Sequence, residues 1–569
     1  MSTFPWVKSY PPGTRWDTPL TIERVERLLD RARTNWPEKS ALSFMGRTIH
    51  FAELGELVDR MTVGLRALGV GPGVHVGLLL PNTPQYVISF FAILKAGGTV
   101  VNYSPLDAAN TIAHKIEDSQ TQVMITLDLA SLYDKVPNLT GVHPLRHLVV
   151  GQVGEFSAHP DQVQAQLATA GQLSASPPRA GQVSFQHLLA HSGTVPSFPD
   201  SEAHQHIAVL QYTGGTTGFP KGAILTHANL SAATSQATHF TAMGGTLLQE
   251  GCERILVALP MFHVYAMVVT VLMGARIGAE LVLVMKFDPQ QILRDIAEKH
   301  ITCFPGVPTM FTALVSQPNV ADFDLRSLKT CGSGGAPLPI ELLRRFESLT
   351  GCTLSEGWGM SETSALGTFT PTSGPRKPGS CGIPAPGVVI EFRDLDDPNR
   401  PSPPGQAGEI VITGPNVMPD YWQKEAEHAE FFTEDGFLRT GDVGTMDEDG
   451  FLYIVDRTKD MLLCGGFNVY PRLIEEAIYA HPLVQEVIVI GIDDPYRGQS
   501  PKAFIKLLNA VAELSLQELQ DFLKDRLGKH EMVHAMELRI DLPKTAVGKL
   551  SKRMLLDELA AATAQRPTP

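Results

Sequence analysis

The most informative part of this 569-residue chain is the loop Tyr212-Thr-Gly-Gly-Thr-Thr-Gly-Phe-Pro-Lys-Gly222, which directly follows the apolar run 207–210. Its glycines let backbone amides turn toward an anion, its threonines add hydroxyl donors, and Lys221 adds a cation. The loop therefore predicts a phosphate-binding site at the end of a strand. Pro220 stands before Lys221, where the common nucleotide-binding loop requires Gly-Lys-Ser/Thr, and this disfavours a kinase or motor ATPase of that class. A flexible turn with an exposed lysine is the alternative for the loop taken alone.

Apolar patterns on both sides of the loop alternate between helix and strand. Over 51–69 the apolar residues recur at helical spacing, and a glycine stands at the end, where a left-handed helix terminus needs one. The runs 76–80 and 99–103 are typical of strands with a helix between them, an order that predicts a right-handed parallel crossover. The later runs 254–259 and 281–285 continue the alternation. We therefore expect a large α/β domain built of layers.

Other regions predict a β-rich subdomain and a smaller terminal domain. The segment 151–201 has little periodicity, and we interpret it as an irregular surface insertion without chemistry. Short β-like runs alternate with Gly, Pro and Asp turns over about 377–455, which indicates a small β-rich subdomain. The charged segment 456–460 indicates a connector. We therefore predict an N-terminal domain of 1–456 and a small α+β domain of 457–569.

The composition is that of a globular protein with several packed units. The residues are 43% hydrophobic and 19% charged, and the length exceeds what one ordinary core supports. The net charge of −14 argues against broad attraction to nucleic acid or anionic lipid, and it is compatible with a local basic site for phosphates.

Several features predict a cytoplasmic location. The N-terminus lacks the basic region and apolar stretch of a secretory signal. The longest apolar run begins near Tyr265 and is interrupted by Arg276 and Glu280, so it predicts a buried helix followed by a strand, not a membrane span. No Cys-x-x-Cys pair or disulfide-like spacing occurs among the cysteines, which predicts reduced thiols at Cys252, Cys303, Cys331, Cys352, Cys381 and Cys464.

Seven further motifs follow the loop in an order that points to one superfamily. They are Pro260-Met-Phe-His263, Gly332-Ser-Gly-Gly-Ala-Pro337, Glu356-Gly-Trp-Gly-Met-Ser-Glu362, Thr440-Gly-Asp442, Asp456-Arg-Thr-Lys459, Gly465-Gly-Phe-Asn-Val-Tyr-Pro471 and Pro543-Lys-Thr-Ala-Val-Gly-Lys549. On these residues the chain resembles the adenylate-forming superfamily of acyl-CoA synthetases, luciferases and peptide-synthetase adenylation domains, and most of all bacterial-type long-chain fatty acid–CoA ligases. The resemblance implies a large N-terminal domain of layered α/β subdomains with a small β-rich subdomain, followed by a small mobile α+β domain.

The resemblance also implies the use of ATP, Mg²⁺ and coenzyme A. The loop would hold the β- and γ-phosphates through Thr213, Gly214, Gly215, Thr216, Thr217, Gly218 and Lys221. The resemblance places Mg²⁺ beside Glu362 and Thr213, because oxygen ligands suit this ion.

The adenosine would lie among residues of three other motifs. The adenine would stack on Trp358, with Glu356 near its amino group and main-chain atoms on its other side from Gly334, Gly335 and Ala336. Further nucleotide contacts would come from Gly357, Gly359, Met360 and Ser361. The ribose hydroxyls would bind Asp442 and Arg457, since a fixed carboxylate accepts two hydrogen bonds at once.

The remaining motifs imply the catalytic and mobile groups. Lys549 would bridge the substrate carboxylate and the α-phosphate. His263 would position the substrate at the junction of acyl pocket and carboxylate, and it would not act as a base because an ionised carboxylate needs no deprotonation. The terminal domain would swing about Lys459 and present Gly465 and Gly466 beside a pantetheine tunnel.

Each residue taken alone has an ordinary alternative. Glu362 and Lys549 could be solvated surface charges, and Trp358 and His263 could be packed core residues. The sequence departs from the superfamily pattern at Gly214, where Ser or Thr is frequent, and at Trp358, where Tyr is more frequent. Neither change removes a charged catalytic group, so we expect activity to be retained.

Three functions are compatible with these patterns. The first is a ligase that converts a medium- or long-chain fatty acid into acyl-AMP and pyrophosphate, and then into acyl-CoA and AMP. The second is an adenylating enzyme for another acid, aromatic or dicarboxylic, or one with a carrier-protein acceptor or luciferase-like chemistry. The chain ends soon after Lys549, which disfavours an attached carrier domain. The third is a non-enzymatic binding protein, which the retained charged residues disfavour.

The sequence specifies the substrate acid and the binding partners least well. Acyl-pocket candidates, which core packing explains equally well, are Val264, Tyr265, Met267 and Val307. A lipid substrate is compatible with peripheral association at the inner face of the membrane, and the resemblance implies a homodimer. We expect no nucleic-acid partner.

Overall fold

The computed structural model describes residues 4–136, 144–213, 220–242, 248–403, 405–464, 467–509, 513–545 and 548–564. Within these residues four sheets form, and helices cover the two largest. The α/β class that the alternating patterns predict is confirmed.

The first large sheet has seven strands among the described residues. Its parallel strands lie in the order Gln182–Ser184, His147–Gly151, Thr121–Leu127, His75–Leu78, Thr99–Asn102 and Ile207–Thr213, and the antiparallel edge strand is Lys221–Thr226. Val76 lies opposite Val100 in a parallel pair, and helix Pro84–Ala96 connects their two strands, which confirms that a crossover joins parallel strands here.

The second large sheet has nine strands among the described residues. Their order is Ile383–Pro384, Thr368–Phe369, Leu354–Trp358, Thr330–Gly334, Cys303–Gly306, Arg254–Val257, Glu280–Leu283, Ser40–Phe44 and Arg47–His50. The strands from Leu354–Trp358 to Ser40–Phe44 pair in parallel, and those at the two edges are antiparallel.

Helices cover these sheets and join their strands. The helices of the first half of the chain are Arg27–Asn35, Phe51–Ala67, Pro84–Ala96, Ala109–Asp118, Ala130–Tyr133, Pro160–Thr169, Phe185–Leu189 and His227–Ala242. The later ones are Val264–Ala266, the π-helix Met267–Leu272, Met273–Ile277, Pro289–Lys299, Pro308–Val315, Ile340–Thr350, His428–Phe431, Pro471–Tyr479, Leu516–Leu523 and Lys552–Ala564. The helix predicted over 51–69 ends at Ala67, and Gly69 has the left-handed φ of +87° that its position requires.

Two smaller sheets complete the fold. An antiparallel sheet of Val389–Arg393, Gly408–Thr413, Leu438–Met446 and Leu452–Arg457 occupies the region predicted to be β-rich. The last sheet comprises Phe467–Val469, Leu462–Cys464, Gly498–Leu507 and Val484–Asp494, with Ala535–Leu538 parallel to Gly498–Leu507. This last sheet and the helices after residue 470 form the small α+β unit.

A buried polar side chain ties the two large sheets together at the site. Asn82 follows strand His75–Leu78 of the first sheet, and its amide donates to the carbonyls of Val257 and Leu259 of the second layer at 3.0 and 2.9 Å. Its oxygen accepts from the Met261 amide at 2.9 Å. Because buried polar groups must be paired, this arrangement fixes the Pro260–His263 motif relative to both sheets.

The interpretation of 151–201 as an irregular insertion is wrong in part. This segment supplies the edge strand Gln182–Ser184 and the helix Phe185–Leu189, in which Phe185 and Leu188 are buried. Its other helix, Pro160–Thr169, buries no residue, and the sequence therefore carries no apolar stripe to reveal it.

The apolar run after Tyr265 forms a buried helix and the strand Glu280–Leu283, as predicted. Among the described residues, no helix combines the length and the apolar character that crossing a membrane requires.

Candidate active site

One cavity of about 1630 Å³ brings the predicted site residues together. Among the residues that line it are Thr213, Lys221, His263, Gly334, Gly335, Ala336, Glu356, Gly357, Trp358, Gly359, Met360, Ser361, Glu362, Asp442, Arg457, Lys459 and Lys549. The other predicted residues, Gly214, Gly215, Thr216, Thr217, Gly218, Gly465 and Gly466, lie outside the described residues. The cavity is larger than the roughly 300–1,000 Å³ of a drug-sized ligand site, so it has room for more than one ligand.

The strand ends explain why these residues meet. Strands Thr330–Gly334 and Leu354–Trp358 are parallel neighbours, and both end at the cavity. In the other sheet, Thr213 at the end of its strand pairs with Lys221 at the start of the next. Ligands of open α/β sheets bind at the carboxyl ends of the strands, and this cavity lies there.

Glu362 is held in a strained turn. Ser364 and Ala365, which follow it, adopt φ of +49° and +77°, a left-handed conformation that costs a non-glycine residue about 1–3 kcal/mol. The Asn416 amide holds this turn by donating to the carbonyls of Thr363 and Leu366 at 2.7 and 2.6 Å. The surrounding structure therefore holds the Glu362 carboxylate in place although the turn that follows it is strained.

The Glu362 carboxylate is buried and has one protein donor that the sequence patterns did not predict. The Tyr421 hydroxyl donates to its Oε1 at 2.5 Å. Burial raises the pKa of Glu362, and this hydrogen bond opposes the increase. The described residues contain no group of three or more His, Cys, Asp or Glu side chains suited to a metal. A single carboxylate fits Mg²⁺, which in phosphate sites takes one or two carboxylates and completes its shell with phosphate and water oxygens.

Asp442 is fixed by two donors from different motifs. The Trp358 indole nitrogen donates to Oδ2 at 2.7 Å, and Arg457 Nε donates to Oδ1 at 3.0 Å. The Asp442 charge raises the pKa of Arg457. Each carboxylate oxygen keeps a further lone pair, so the fixed group can still accept from a diol.

Lys549 lies inside the cavity against a glycine that makes room for it. A Cβ at Gly335, whose φ is +77°, would lie 2.2 Å from Lys549 Cε. Burial lowers the pKa of Lys549 to about 8, and Arg457 acts in the same direction.

Burial and the Lys549 charge together lower the pKa of His263 to about 3, so the imidazole is neutral near pH 7. The His263 Nδ1 accepts from the Tyr265 amide at 3.3 Å, which orients the ring.

Two other charged groups of the cavity have defined surroundings. Lys221 Nζ lies 3.5 Å from a Glu427 carboxylate oxygen and 4.2 Å from the centre of the Phe431 ring. Burial raises the pKa of Glu356 to about 7, and its Oε1 accepts from the Leu338 amide at 3.2 Å.

Beyond His263 the cavity wall is mainly apolar. It is formed by helix His227–Ala242 and by a second helix made of the three consecutive segments over 264–277. Its lining residues from these helices are Ala237, Val264, Tyr265, Val269 and Met273. Of the acyl-pocket candidates, Val264 and Tyr265 reach this wall, whereas Met267 and Val307 are packed in the core.

Sequence patterns missed several of the residues that shape the site. Val269 and Met273 lie on or next to the π-helix Met267–Leu272, and π-helical turns often occur at functional sites. Tyr421 has no partner near it in sequence that would reveal its contact. The same holds for Thr309, whose hydroxyl donates to the Gly548 carbonyl at 2.6 Å.

Comparisons with known proteins agree with this geometry. The family model of the AMP-binding enzymes matches residues 29–422, and that of the AMP-binding enzyme C-terminal domain matches residues 473–549. A long-chain-fatty-acid–CoA ligase of Bacillus subtilis (strain 168) is 36% identical over 556 residues, which cover 97% of this chain and 98% of that ligase. A feruloyl-CoA synthase of Amycolatopsis sp is 33% identical over 523 residues, which cover 92% and 96%.

A solved structure shares the whole architecture. The crystal structure of an anthranilate CoA ligase in complex with anthranoyl-AMP has a TM-score of 0.82 and 25% sequence identity, and the match covers 96% of this chain and 99% of that one. The two family models together extend over most of the cavity-lining motifs. The chain belongs to the AMP-binding enzyme family, as an adenylate-forming acid–thiol ligase that uses ATP, Mg²⁺ and coenzyme A.

Proposed function

We propose that this ligase activates a medium- or long-chain fatty acid. The observation that carries the proposal is the apolar wall of Ala237, Val264, Val269 and Met273, which continues from His263 at the charged end of the cavity. A carboxylate held near His263 would direct its alkyl chain along this wall. The 36% identity to a long-chain-fatty-acid–CoA ligase supports the same substrate class.

The energetics favour alkyl chains over polar acids at this wall. Each methylene that leaves water contributes about 0.8 kcal/mol, or about fourfold in affinity. Among the described residues of the two helices, those that line the cavity include no lysine or arginine. The second carboxylate of a dicarboxylic acid would therefore lose its hydration there without gaining a counter-charge.

In the proposed adenylation step, this chain's residues bind ATP and orient the acid. Lys221 neutralises the departing pyrophosphate, and Asp442 with Arg457 holds the ribose. Glu362 and Thr213 would hold Mg²⁺, and this ion would supply charge neutralisation at the phosphates. Lys549 donates hydrogen bonds to the carboxylate and α-phosphate oxygens while negative charge redistributes between them.

Other cavity residues bind the base and the acid without taking protons. Trp358 offers its ring to the adenine, opposite the main chain of residues 334–336. His263 is neutral near pH 7 and its Nδ1 accepts from the Tyr265 amide, so its Nε2–H donates to the carboxylate and leaves the negative charge on the attacking oxygen.

Thioester formation then requires a second arrangement of the domains 1–456 and 457–569. In the structure Lys549 lines the cavity, and in the proposed mechanism it withdraws before the thiol arm of coenzyme A enters. The turn after strand Leu452–Arg457 contains Lys459, which is exposed at the cavity edge and is the proposed hinge. Gly465 and Gly466 would then lie beside the thiol. Peripheral membrane association stays a prediction from a lipid substrate, and a homodimer stays a prediction from the resemblance.

A panel of acids tests the substrate. We would measure AMP formation with ATP and coenzyme A for hexanoate, octanoate, decanoate, dodecanoate, ferulate, anthranilate and adipate. The expected result is a kcat/KM that rises by up to about fourfold per methylene until the pocket is full. A preference for ferulate, anthranilate or adipate would refute the fatty-acid proposal. Turnover with a carrier protein and none with coenzyme A would refute coenzyme A as the acceptor.

A variant of the wall makes the test specific. Val269→Phe adds volume at the apolar end and should lower kcat/KM for dodecanoate more than for hexanoate. Val268→Ile, at a buried neighbour that does not line the cavity, is the control and should leave the ratio of the two acids unchanged. Equal losses for both acids in Val269→Phe would place the alkyl chain elsewhere.

A further inference from the structure

A hydrogen bond joins the lysine-bearing turn to a helix of the second large sheet layer. Thr309 lies in the first turn of helix Pro308–Val315, and its hydroxyl donates to the Gly548 carbonyl at 2.6 Å. Gly548 precedes Lys549 directly. The contact therefore joins residues 239 positions apart, on opposite sides of the proposed hinge.

The turn is closed by its own backbone, so a contact at Gly548 bears on the position of Lys549. The Gly548 amide donates to the Thr545 carbonyl at 2.9 Å, and the Thr545 amide donates to the Lys549 carbonyl at 2.7 Å. The Lys549 amide donates to Thr545 Oγ1 at 3.2 Å. Gly548 has a φ of +79°, which a residue with a side chain rarely adopts.

Thr309 contributes little to the core of its own helix. The buried residues of that helix include Phe311, Leu314 and Val315, which pack in the core beneath the sheet, whereas Thr309 is half-buried and faces the cavity. Its side chain is therefore suited to a contact that forms and breaks as the terminal domain moves.

We propose that Thr309 is a positioning residue for adenylation, whose hydroxyl holds the turn of Gly548 while Lys549 is in the cavity. This inference rests on the proposed function, in which the lysine turn leaves the cavity before thioester formation. The hydrogen bond stabilises the adenylation arrangement and must break for the second half-reaction. Its loss should therefore affect the two half-reactions in different ways.

The test compares Thr309→Val, which keeps the shape and removes the donor, with Thr309→Ser, which keeps the donor. Adenylation would be measured as dodecanoate-dependent pyrophosphate exchange, and thioester formation as dodecanoyl-CoA production from supplied dodecanoyl-AMP. A typical net hydrogen bond predicts a three- to tenfold loss of exchange in Thr309→Val. Thioester formation should stay within twofold of wild type or rise, and Thr309→Ser should restore exchange.

Three outcomes would overturn the proposal. They are wild-type exchange in Thr309→Val, equal losses in both half-reactions, and exchange in Thr309→Ser as low as in Thr309→Val. The thermal midpoint of each variant separates a folding defect from the predicted effect, because a folding defect lowers both half-reactions together. Absence of dodecanoate-dependent exchange in the wild type would refute the proposed substrate instead. The Thr309 comparison is then made with the acid of the panel that supports exchange.

Discussion

The structure predicts that adenylation declines in mildly alkaline solution. Burial lowers the pKa of Lys549 to about 8, whereas an ordinary lysine has a pKa of about 10.4 and stays protonated at pH 9. In the proposed adenylation step the ammonium form of Lys549 is the active one, and it is present below its pKa. It falls from about nine-tenths at pH 7 to about one-tenth at pH 9, so we expect kcat/KM for adenylation to fall roughly tenfold.

The assay is pyrophosphate exchange with dodecanoate at constant ionic strength and without coenzyme A, whose thiol would ionise in the same range. His263 does not interfere, because its pKa of about 3 leaves it neutral throughout. Glu356 has a pKa of about 7 and lines the same cavity, so the profile is also recorded in Glu356→Gln.

Two lysine variants decide whether Lys549 causes the decline. Lys549→Arg keeps its charge at every pH used, so the alkaline decline should disappear even where the rate is lower. Lys544→Arg changes a lysine of the same loop that pairs with Glu486 outside the cavity, and its profile should match the wild type. A wild-type rate that stays constant to pH 9, or a decline that persists in Lys549→Arg, would refute the reasoning.

Three further variants test other parts of the site. Lys549→Ala should lower pyrophosphate exchange about 10²–10³-fold, the scale of one lost transition-state donor, while Lys544→Ala stays near wild type; near-normal exchange in the first variant contradicts its assignment. Lys459→Pro restricts a hinge dihedral and should impair thioester formation more than adenylation, an expectation that equal losses would contradict. Trp358→Phe keeps an aromatic face and removes the donor to Asp442, so discrimination between ATP and 2′-deoxy-ATP in the exchange assay should fall about three- to tenfold. Unchanged discrimination would show that Asp442 is held without the indole.

Local patterns were sufficient for the fold class and for several of its elements. Strands with apolar, β-branched runs between glycine and proline turns were recognisable, and so was the helix that ends before Gly69. The helix Pro160–Thr169 was not, because a helix that buries no residue leaves no periodic apolar signal. The strand Gln182–Ser184 is three residues long, and its alternation is too short to recognise.

The roles of single residues were less accessible than the motifs. Trp358 was expected to offer a ring face to the adenine, and the structure adds a hydrogen bond from its indole to Asp442, 84 positions away. Tyr421 and Glu362 meet across 59 positions, and no spacing rule relates them. Of the acyl-pocket candidates, Val264 and Tyr265 line the cavity and Met267 and Val307 do not, a division that depends on how each side chain packs.

The α/β class, the family and the identity of the charged groups could be read from the sequence, because these properties belong to short segments. The tertiary structure alone decided which of these groups meet, how Thr309 contacts the turn of Lys549, and how far each pKa is shifted. The physical reason is that hydrogen bonds require an approach within about 3 Å and pKa shifts require the removal of water, and both depend on how distant segments pack.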